Sequence, residues 1–409
     1  MKRAFFAALL ISGAVFAQDT TRVLFVGNSY TNNNNLPQMI DDIANSVGDD
    51  LIYDAHTPGG NTMQQHSVNS TLMNKLDDDE WNFVVLQGQS QEPSFSPTQV
   101  ASDVYPYAAN LCDSILANNS CAEPLFFMTW GRKNGDASNC PFYPPICTYD
   151  GMQTRLAESY TEMSLDNEAS LSPVGEVWRE VRNQYPSYSL YISDESHPTK
   201  LGSYLAACTF YEIIWQKSSI GASYPTGVTA QEANNIQTIV DSMISQDLST
   251  WLGYGDVPYA SPSYELTNDD QVLLLANSGN TTEFQWEISD GTFLDGDSAE
   301  HTFSTTGVYV VYLYYSNDCH SYETSMLIQP AIGLEEKLKE LNIFIENKQL
   351  TIQSADDFQS DINIFNIEGK KVKNILSYEV NTTINLQDLS NGIYILKLNK
   401  YSGIQFSLR

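Results

Sequence analysis

The chain has 409 residues, 50 of them Asp or Glu against 20 Lys or Arg, for a formal net charge of −30. A chain this long predicts two or three domains, and its acidity excludes the basic footprint that nucleic acids and anionic membranes require. With 42% hydrophobic and 11% aromatic residues it has material for packed cores, which argues against disorder.

In chain order, Lys2 and Arg3 precede a short apolar run, Ala4 to Phe16, and Val15-Phe-Ala17 offers a cleavage site before Gln18. This reads as a secretory signal peptide over residues 1–17, too short to span a bilayer. No later run is apolar enough to span, so the sequence predicts an exported chain without membrane insertion. In that compartment the six cysteines can pair. Proximity predicts Cys112–Cys121 and Cys140–Cys147, leaves Cys208 as a buried thiol, and puts Cys319 in a different domain.

Residues 18–253 carry an α/β pattern. Apolar runs at Arg22–Val26, Leu51–Tyr53, Phe83–Leu86 and Leu125–Met128, with a fifth at Leu190–Ile192, read as buried strands. Helical stretches at Leu36–Ser46, Pro97–Leu116, Gly151–Ala169 and Leu201–Gln216 separate them. Strands alternating with helices predict a parallel sheet covered on both faces. From residue 254 to 332 the pattern changes to alternating strand-like segments, among them Phe284–Ile288 and Val308–Tyr314, and predicts a small β-sandwich. Residues 333–409 hold further period-two runs with Glu368-Gly369 and Asn391-Gly392 as turn signals, a second sandwich.

Four segments at strand ends carry chemistry. Ser29, in Gly27-Asn28-Ser29, follows the first strand, where open α/β sheets bind ligands and a helix N-terminus favours an oxyanion. Gly59-Gly60 follows the second strand and can aim a backbone N–H at developing negative charge. Gln87-Gly-Gln89-Ser90 follows the third, and an amide there can donate to the same charge; Gln89 is the first candidate and Gln87 the alternative. Asp194-Glu-Ser-His197-Pro198 sets a carboxylate three residues from an imidazole, spacing that can orient the ring. Asn28, His66, Gln87 and Trp130 are candidates for substrate contact, and Arg132 lies beside the last of these. No Cys or His spacing predicts a metal site, and Asp77–Glu80 lacks the spacing of a calcium loop.

The order Ser, Gly, Gln, Asp-x-x-His resembles the SGNH (GDSL-like) hydrolase family. Asn28 stands where that family has Asp, and Gln89 where it has Asn. The resemblance covers about residues 22–220 and implies a flavodoxin-like three-layer sandwich. It implies a serine esterase without cofactor, in which Ser29 is nucleophile, His197 base and Asp194 its partner. Ser29, Gly60 and Gln89 would form the oxyanion hole. A short acyl group on carbohydrate is the implied substrate. An inactive adhesin or glycan-binding protein, or a lipase or thioesterase for longer chains, are the alternative readings. Trp286–Gly291, His301–Phe303 and Gly307–Tyr309 resemble a PKD-type immunoglobulin-like domain. Ile362–Lys370 and Leu389–Ile395 resemble the C-terminal sorting domain of the type IX secretion system. That likeness implies a Bacteroidetes-type bacterium and the secretion machinery as partner.

The charge is unevenly spread. Residues 18–332 hold 9 basic and 40 acidic residues, which favours neutral over polyanionic substrates.

Overall fold

A computed structural model describes residues 20–268, 270–305, 307–330, 341–346, 348–354, 360–366, 370–377, 381–390, 392–398 and 404–408. The signal peptide expected at residues 1–17 lies outside the described residues. The chain divides into two compact units, residues 1–259 with 317–322, and residues 260–316 with 323–409.

The first unit is built on strands β1 (Thr21–Val26), β2 (Leu51–His56), β3 (Phe83–Leu86), β4 (Glu123–Phe127) and β5 (Ser170–Ser172). They form one sheet in the order β2-β1-β3-β4-β5, every neighbouring pair parallel. This is the flavodoxin-like order, in which the sheet's direction of growth reverses beside β1. Side chains along a strand point alternately to its two faces. Val23, Phe25, Phe83, Val85, Leu125 and Phe127 therefore enter one core with the helices Leu36–Val47, Val174–Gln184, Lys200–Trp215 and Ala230–Met243. Leu24, Val26, Val84, Leu86 and Phe126 enter the other, with Ser70–Asp77, Tyr105–Asn118 and Tyr149–Asp166. Each such buried side chain contributes roughly 1.5–3 kcal/mol. The expected three-layer sandwich is what this sheet and its two helical layers form.

Three expectations need correction. Leu190–Ile192 is not a sheet strand. It pairs across its own turn, with a bridge from Tyr191 to Pro198 and the Ile192 N–H donating to the His197 carbonyl at 3.0 Å. The fifth strand is instead Ser170-Leu-Ser172, whose single apolar residue gave no β signal but whose backbone pairs with β4. The long helix expected from Pro97 to Leu116 breaks at Val104 into Pro97–Asp103 and Tyr105–Asn118, because Pro106 has no N–H to donate into a continuing helix. Finally, Cys121 is bonded to Cys319 rather than to Cys112. Cys112 is a buried free thiol on the core side of its helix, beside Leu111 and Ile115. The loop Asn317–Tyr322 is grouped with the first compact unit, so Cys319 and Cys121 lie within one unit. Cys140–Cys147 pairs as expected, and Cys208 is a buried free thiol.

In the second unit, β6 (Ser263–Leu266), β7 (Gln271–Leu275), β8 (Glu283–Ile288), β9 (Thr292–Asp295), β10 (Ser298–Thr302), β11 (Tyr309–Ser316) and β12 (Ser321–Ile328) form antiparallel sheets in the orders β9-β8-β11-β12 and β10-β7-β6. Trp286, Ile288, Val311, Leu313 and Tyr315, from alternate positions of β8 and β11, are buried. Among the described residues from 341 to 408, seven strands form antiparallel sheets of three and four. Their core includes Leu350, Ile352, Ile362, Ile364, Ile384 and Leu396.

Candidate active site

The site is assembled at the C-terminal ends of β1 to β4. At the end of β1 the chain turns sharply into the short helix Ser29–Asn32. Gly27 is required there: a Cβ would stand 2.5 Å from Thr31 Oγ1 and 2.7 Å from Gln87 Oε1. Asn28 caps the helix by accepting the Tyr30 N–H at 3.1 Å. Its amide donates to the carbonyls of Asn61 at 3.2 Å and Gly88 at 3.4 Å. One buried side chain thus joins the turns after β1, β2 and β3.

Ser29 Oγ lies 2.8 Å from His197 Nε2, and His197 Nδ1 lies 2.5 Å from Asp194 Oδ2. Asp194 Oδ1 accepts the backbone N–H groups of Ser196 at 3.0 Å and His197 at 2.9 Å. Partial burial would raise the Asp194 carboxyl, but the Ser196 N–H and the side chain and N–H of His197 outweigh it and hold the group below the ordinary carboxylate range. The carboxylate is therefore charged and aimed at Nδ1. The Asp194 and His197 side chains are 43% and 31% exposed, so a substrate can reach the pair.

The loop bearing His197 is held from behind. Tyr30 and Ser196 share a hydrogen bond of 2.6 Å between Oη and Oγ, and Trp130 Nε1 donates to the Ser196 carbonyl at 3.0 Å. Tyr30 stacks on Trp130 with centroids 4.6 Å apart, and Trp130 stacks on Trp178 at 4.1 Å. The His197 ring stands edge-on to Tyr30 at 5.4 Å. Downstream, Thr199 caps the buried helix Lys200–Trp215. Gly202 is required there, since a Cβ would meet Trp178 at 2.5 Å and the Leu190 carbonyl at 2.6 Å. On the other flank the Lys133 N–H donates to the Glu195 carbonyl at 2.9 Å. Arg132 faces Asp136 at 3.6 Å, and Asp136 accepts from Gln91 Nε2 at 2.6 Å.

The two glutamines after β3 differ in their bonding. Gln87 is fully buried; its Oε1 accepts the Asn28 N–H at 2.9 Å and Thr31 Oγ1 at 3.0 Å, and its Nε2 donates to the Gly88 carbonyl. Gln89 is half-buried. Its Oε1 accepts the N–H groups of Gln91 at 2.7 Å and Glu92 at 3.1 Å, whereas its Nε2 makes only contacts of 3.4 and 3.5 Å, to Ser90 Oγ and Gln91 Oε1. Gln87 Nε2 is thus tied to the Gly88 carbonyl inside the core, whereas Gln89 Nε2 holds no short hydrogen bond. Gly60 is exposed, with φ of +73°, in the turn closed by the Asn61 N–H donating to the Pro58 carbonyl at 3.2 Å.

The four candidates for substrate contact are all buried: Asn28 is 2% exposed, and His66, Gln87 and Trp130 are 0%. Asn28, Gln87 and Trp130 spend their polar atoms on the loops named above. His66 lies beside the Gly27 backbone and edge-on to His56 at 5.5 Å. Burial first, then the neighbouring His56, push its pKa down to about 4. Sequence reasoning overlooked Tyr30 and Ser196, although both lie inside the motifs that drew attention to Ser29 and His197. Among the described residues, no group of three or more His, Cys, Asp or Glu is placed to hold a metal.

Comparison with family models matches residues 262–327 to the model described as PKD domain and residues 346–407 to that described as secretion system C-terminal sorting domain. Among solved structures, the chain is similar to a DUF4886 family protein from Bacteroides uniformis, with 17% identity over 55% of this chain and 95% of that one and a TM-score of 0.47. It is also similar to a putative SGNH hydrolase from Slackia heliotrinireducens, with 28% identity over 47% of this chain and 98% of that one and a TM-score of 0.39. An acetyl xylan esterase matches at 13% identity over 47% of this chain and 99% of that one, with a TM-score of 0.36. No curated protein matches the chain. The class defined here is an α/β unit with a flavodoxin-like parallel sheet, joined to a PKD domain and a secretion sorting domain.

Proposed function

We propose that the chain is an exported serine esterase that removes short acyl groups, such as O-acetyl, from carbohydrate. The observation that carries this reading is the Ser29–His197–Asp194 chain of hydrogen bonds, 2.8 and 2.5 Å long. Ser29 Oγ attacks the ester carbonyl while His197 Nε2 takes its proton. The carbonyl oxygen becomes an oxyanion held by the backbone N–H groups of Ser29 and Gly60 and by Gln89 Nε2. Collapse of this intermediate expels the alcohol, which receives the proton from His197, and leaves an acyl-Ser29. Water, deprotonated by His197, attacks the acyl group and releases the acid, restoring the Ser29 hydroxyl. Asp194 holds the ring with Nδ1 protonated and stabilises the imidazolium formed in each half.

Export rests on the apolar segment at residues 4–16 and on the match of residues 346–407 to the sorting-domain model, with the type IX machinery as partner. Among the described residues no helix is long and apolar enough to cross a membrane. The domain limits that fit this reading are 18–253 for the hydrolase, 254–332 for the PKD domain and 333–409 for the sorting domain.

The test is hydrolysis of aryl acetate, aryl octanoate and aryl palmitate, with acetate release from acetylated xylan and mannan, by the full chain and by Ser29→Ala. The expected result is a preference for acetate, release from the polymers, and loss of all of it in Ser29→Ala. Equal rates in the two proteins would overturn the mechanism, and a preference for palmitate would overturn the substrate class.

A further inference from the structure

The segment Arg132–Asp136, beyond the end of β4, touches both halves of the candidate site. On one side the Lys133 N–H donates to the Glu195 carbonyl at 2.9 Å, and Asn134 Nδ2 donates to Glu195 Oε2 at 2.8 Å. Glu195 stands between Asp194 and Ser196 with φ of +60°, a conformation that a residue with a side chain keeps only where its surroundings hold it. On the other side Asp136 Oδ2 accepts Gln91 Nε2 at 2.6 Å.

Asp136 is 0% exposed. A buried charge persists only where partners satisfy it. Oδ1 accepts the N–H groups of Ser138 at 3.1 Å and Asn139 at 3.3 Å, and it faces Arg132 at 3.6 Å. Oδ2 accepts Asn139 Nδ2 at 2.7 Å besides Gln91. Burial would raise this carboxyl, but Asn139, Gln91 and Arg132 outweigh it and hold the group below the ordinary carboxylate range. The backbone of Asp136 is fixed as well. Its N–H donates to the Ile146 carbonyl at 2.8 Å and its carbonyl accepts the Cys140 N–H at 2.8 Å, next to the loop that Cys140–Cys147 closes. Ser138, Asn139 and Arg132 belong to the same stretch of chain as Asp136. Gln91 is 45 positions away, beyond the end of β3, so that bond joins two strand ends.

The bond has a direction. A carboxylate only accepts, so it turns the Gln91 amide with Nε2 towards itself. Gln91 Oε1 is left 3.5 Å from Gln89 Nε2, and the Gln91 N–H donates to Gln89 Oε1 at 2.7 Å. A flipped Gln89 amide would set its Nε2 against the N–H groups of Gln91 and Glu92, donor against donor. We propose that Asp136 is a positioning residue for the oxyanion hole: through Gln91 it fixes the orientation of the Gln89 amide, whose Nε2 receives the developing charge. This rests on the esterase reading and on the role given there to Gln89.

The test measures steady-state hydrolysis of an aryl acetate by the full chain, by Ser29→Ala, Gln89→Ala, Asp136→Asn and Gln91→Ala, and by the last two each combined with Gln89→Ala. Asp136→Asn keeps the size of the side chain and turns one acceptor into a donor, which frees the Gln91 amide to flip. Asp136→Asn and Gln91→Ala are each expected to lower kcat about tenfold with KM within about twofold, as loss of a contact made in the transition state does. In the Gln89→Ala background neither change is expected to lower kcat further, because the donor they orient is gone. Gln91→Ala leaves the buried carboxylate in place and carries the test if Asp136→Asn does not fold. Unchanged kcat in the single variants overturns the proposal. So does an equal fall in the two backgrounds, which a merely structural role would give. If Gln89→Ala is as active as the unmodified chain, the proposal falls with the donor assignment while the triad stands. If Ser29→Ala keeps the unmodified rate, the esterase reading itself falls and the proposal with it.

Discussion

The Tyr30 hydroxyl and Ser196 Oγ lie 2.6 Å apart, so the residue after Ser29 holds the residue before His197. The two motifs are 166 positions apart in the chain yet share this buried bond. Tyr30→Phe keeps the stacking on Trp130 and removes only the hydroxyl. The expected effect is a fall in kcat of about fivefold with KM nearly unchanged, since about 1 kcal/mol of positioning is lost. Steady-state kinetics check this, and an unchanged kcat would show that the stack alone holds the loop.

Asp194 is ionised well into the acid range, held there by two backbone N–H groups and His197 despite partial burial. Asp194→Asn is expected to lower kcat by three to four orders of magnitude at pH 7.5, because the amide favours the wrong tautomer of His197. Asp194 keeps its charge at pH 5, so acidifying the unmodified chain to pH 5 is not expected to reproduce that loss through this residue. Rates of both proteins across pH 5–9 test this.

Gln87 and Gln89 predict opposite phenotypes. Gln89→Ala is expected to lower kcat about a hundredfold or more with little change in melting, as removal of an oxyanion donor does. Gln87→Ala leaves the Asn28 N–H and Thr31 hydroxyl without their buried acceptor and is expected to cost about 1–3 kcal/mol of stability. Parallel measurement of melting and kcat separates the two. If Gln89→Ala is fully active, the oxyanion assignment fails.

His66 is buried as the neutral imidazole, with its pKa lowered to about 4, whereas in the unfolded chain it titrates near the ordinary 6.5. Between those values the unfolded chain carries a proton that the folded chain lacks. Stability therefore falls as pH drops from about 6.5 towards 4, and this contribution is constant above 6.5. His66→Phe is expected to flatten that part of the profile. Urea midpoints at pH 4.5 and 7.5 measure it; an unchanged slope would show that other groups carry the acid sensitivity.

The Cys121–Cys319 bond closes a loop of 198 residues. Chain-entropy arguments give such a loop up to about 5 kcal/mol of stabilisation. The Cys121→Ser, Cys319→Ser double variant is expected to lower the melting temperature of the first unit, while the same change at Cys140 and Cys147, seven residues apart, has a smaller effect. Calorimetry of the two variants compares them directly.

Several features were legible because they are local. Period-two and period-3.6 apolar spacing marked four of the five sheet strands and most helices, and the ends of β1, β2 and β3 located Ser29, Gly60 and the two glutamines. Other features resisted for physical reasons. Ser170-Leu-Ser172 is a strand only because β4 offers it a backbone edge. Trp130 follows a strand, as a substrate-contacting residue would, but the rings of Tyr30 and Trp178 enclose it. Gln87 and Gln89 are two positions apart, and only their burial and hydrogen bonds tell which amide is tied into the core.

The sequence by itself determined the alternation of strands and helices, the change to β-rich segments near residue 254, the overall acidity and the residue types at each strand end. Those depend on side chains within a few positions of one another. Tertiary structure decided that Ser29 meets His197, that Cys121 meets Cys319, and that Asp136 meets Gln91. Each of these contacts joins residues on different elements, and only the packing of those elements brings them together.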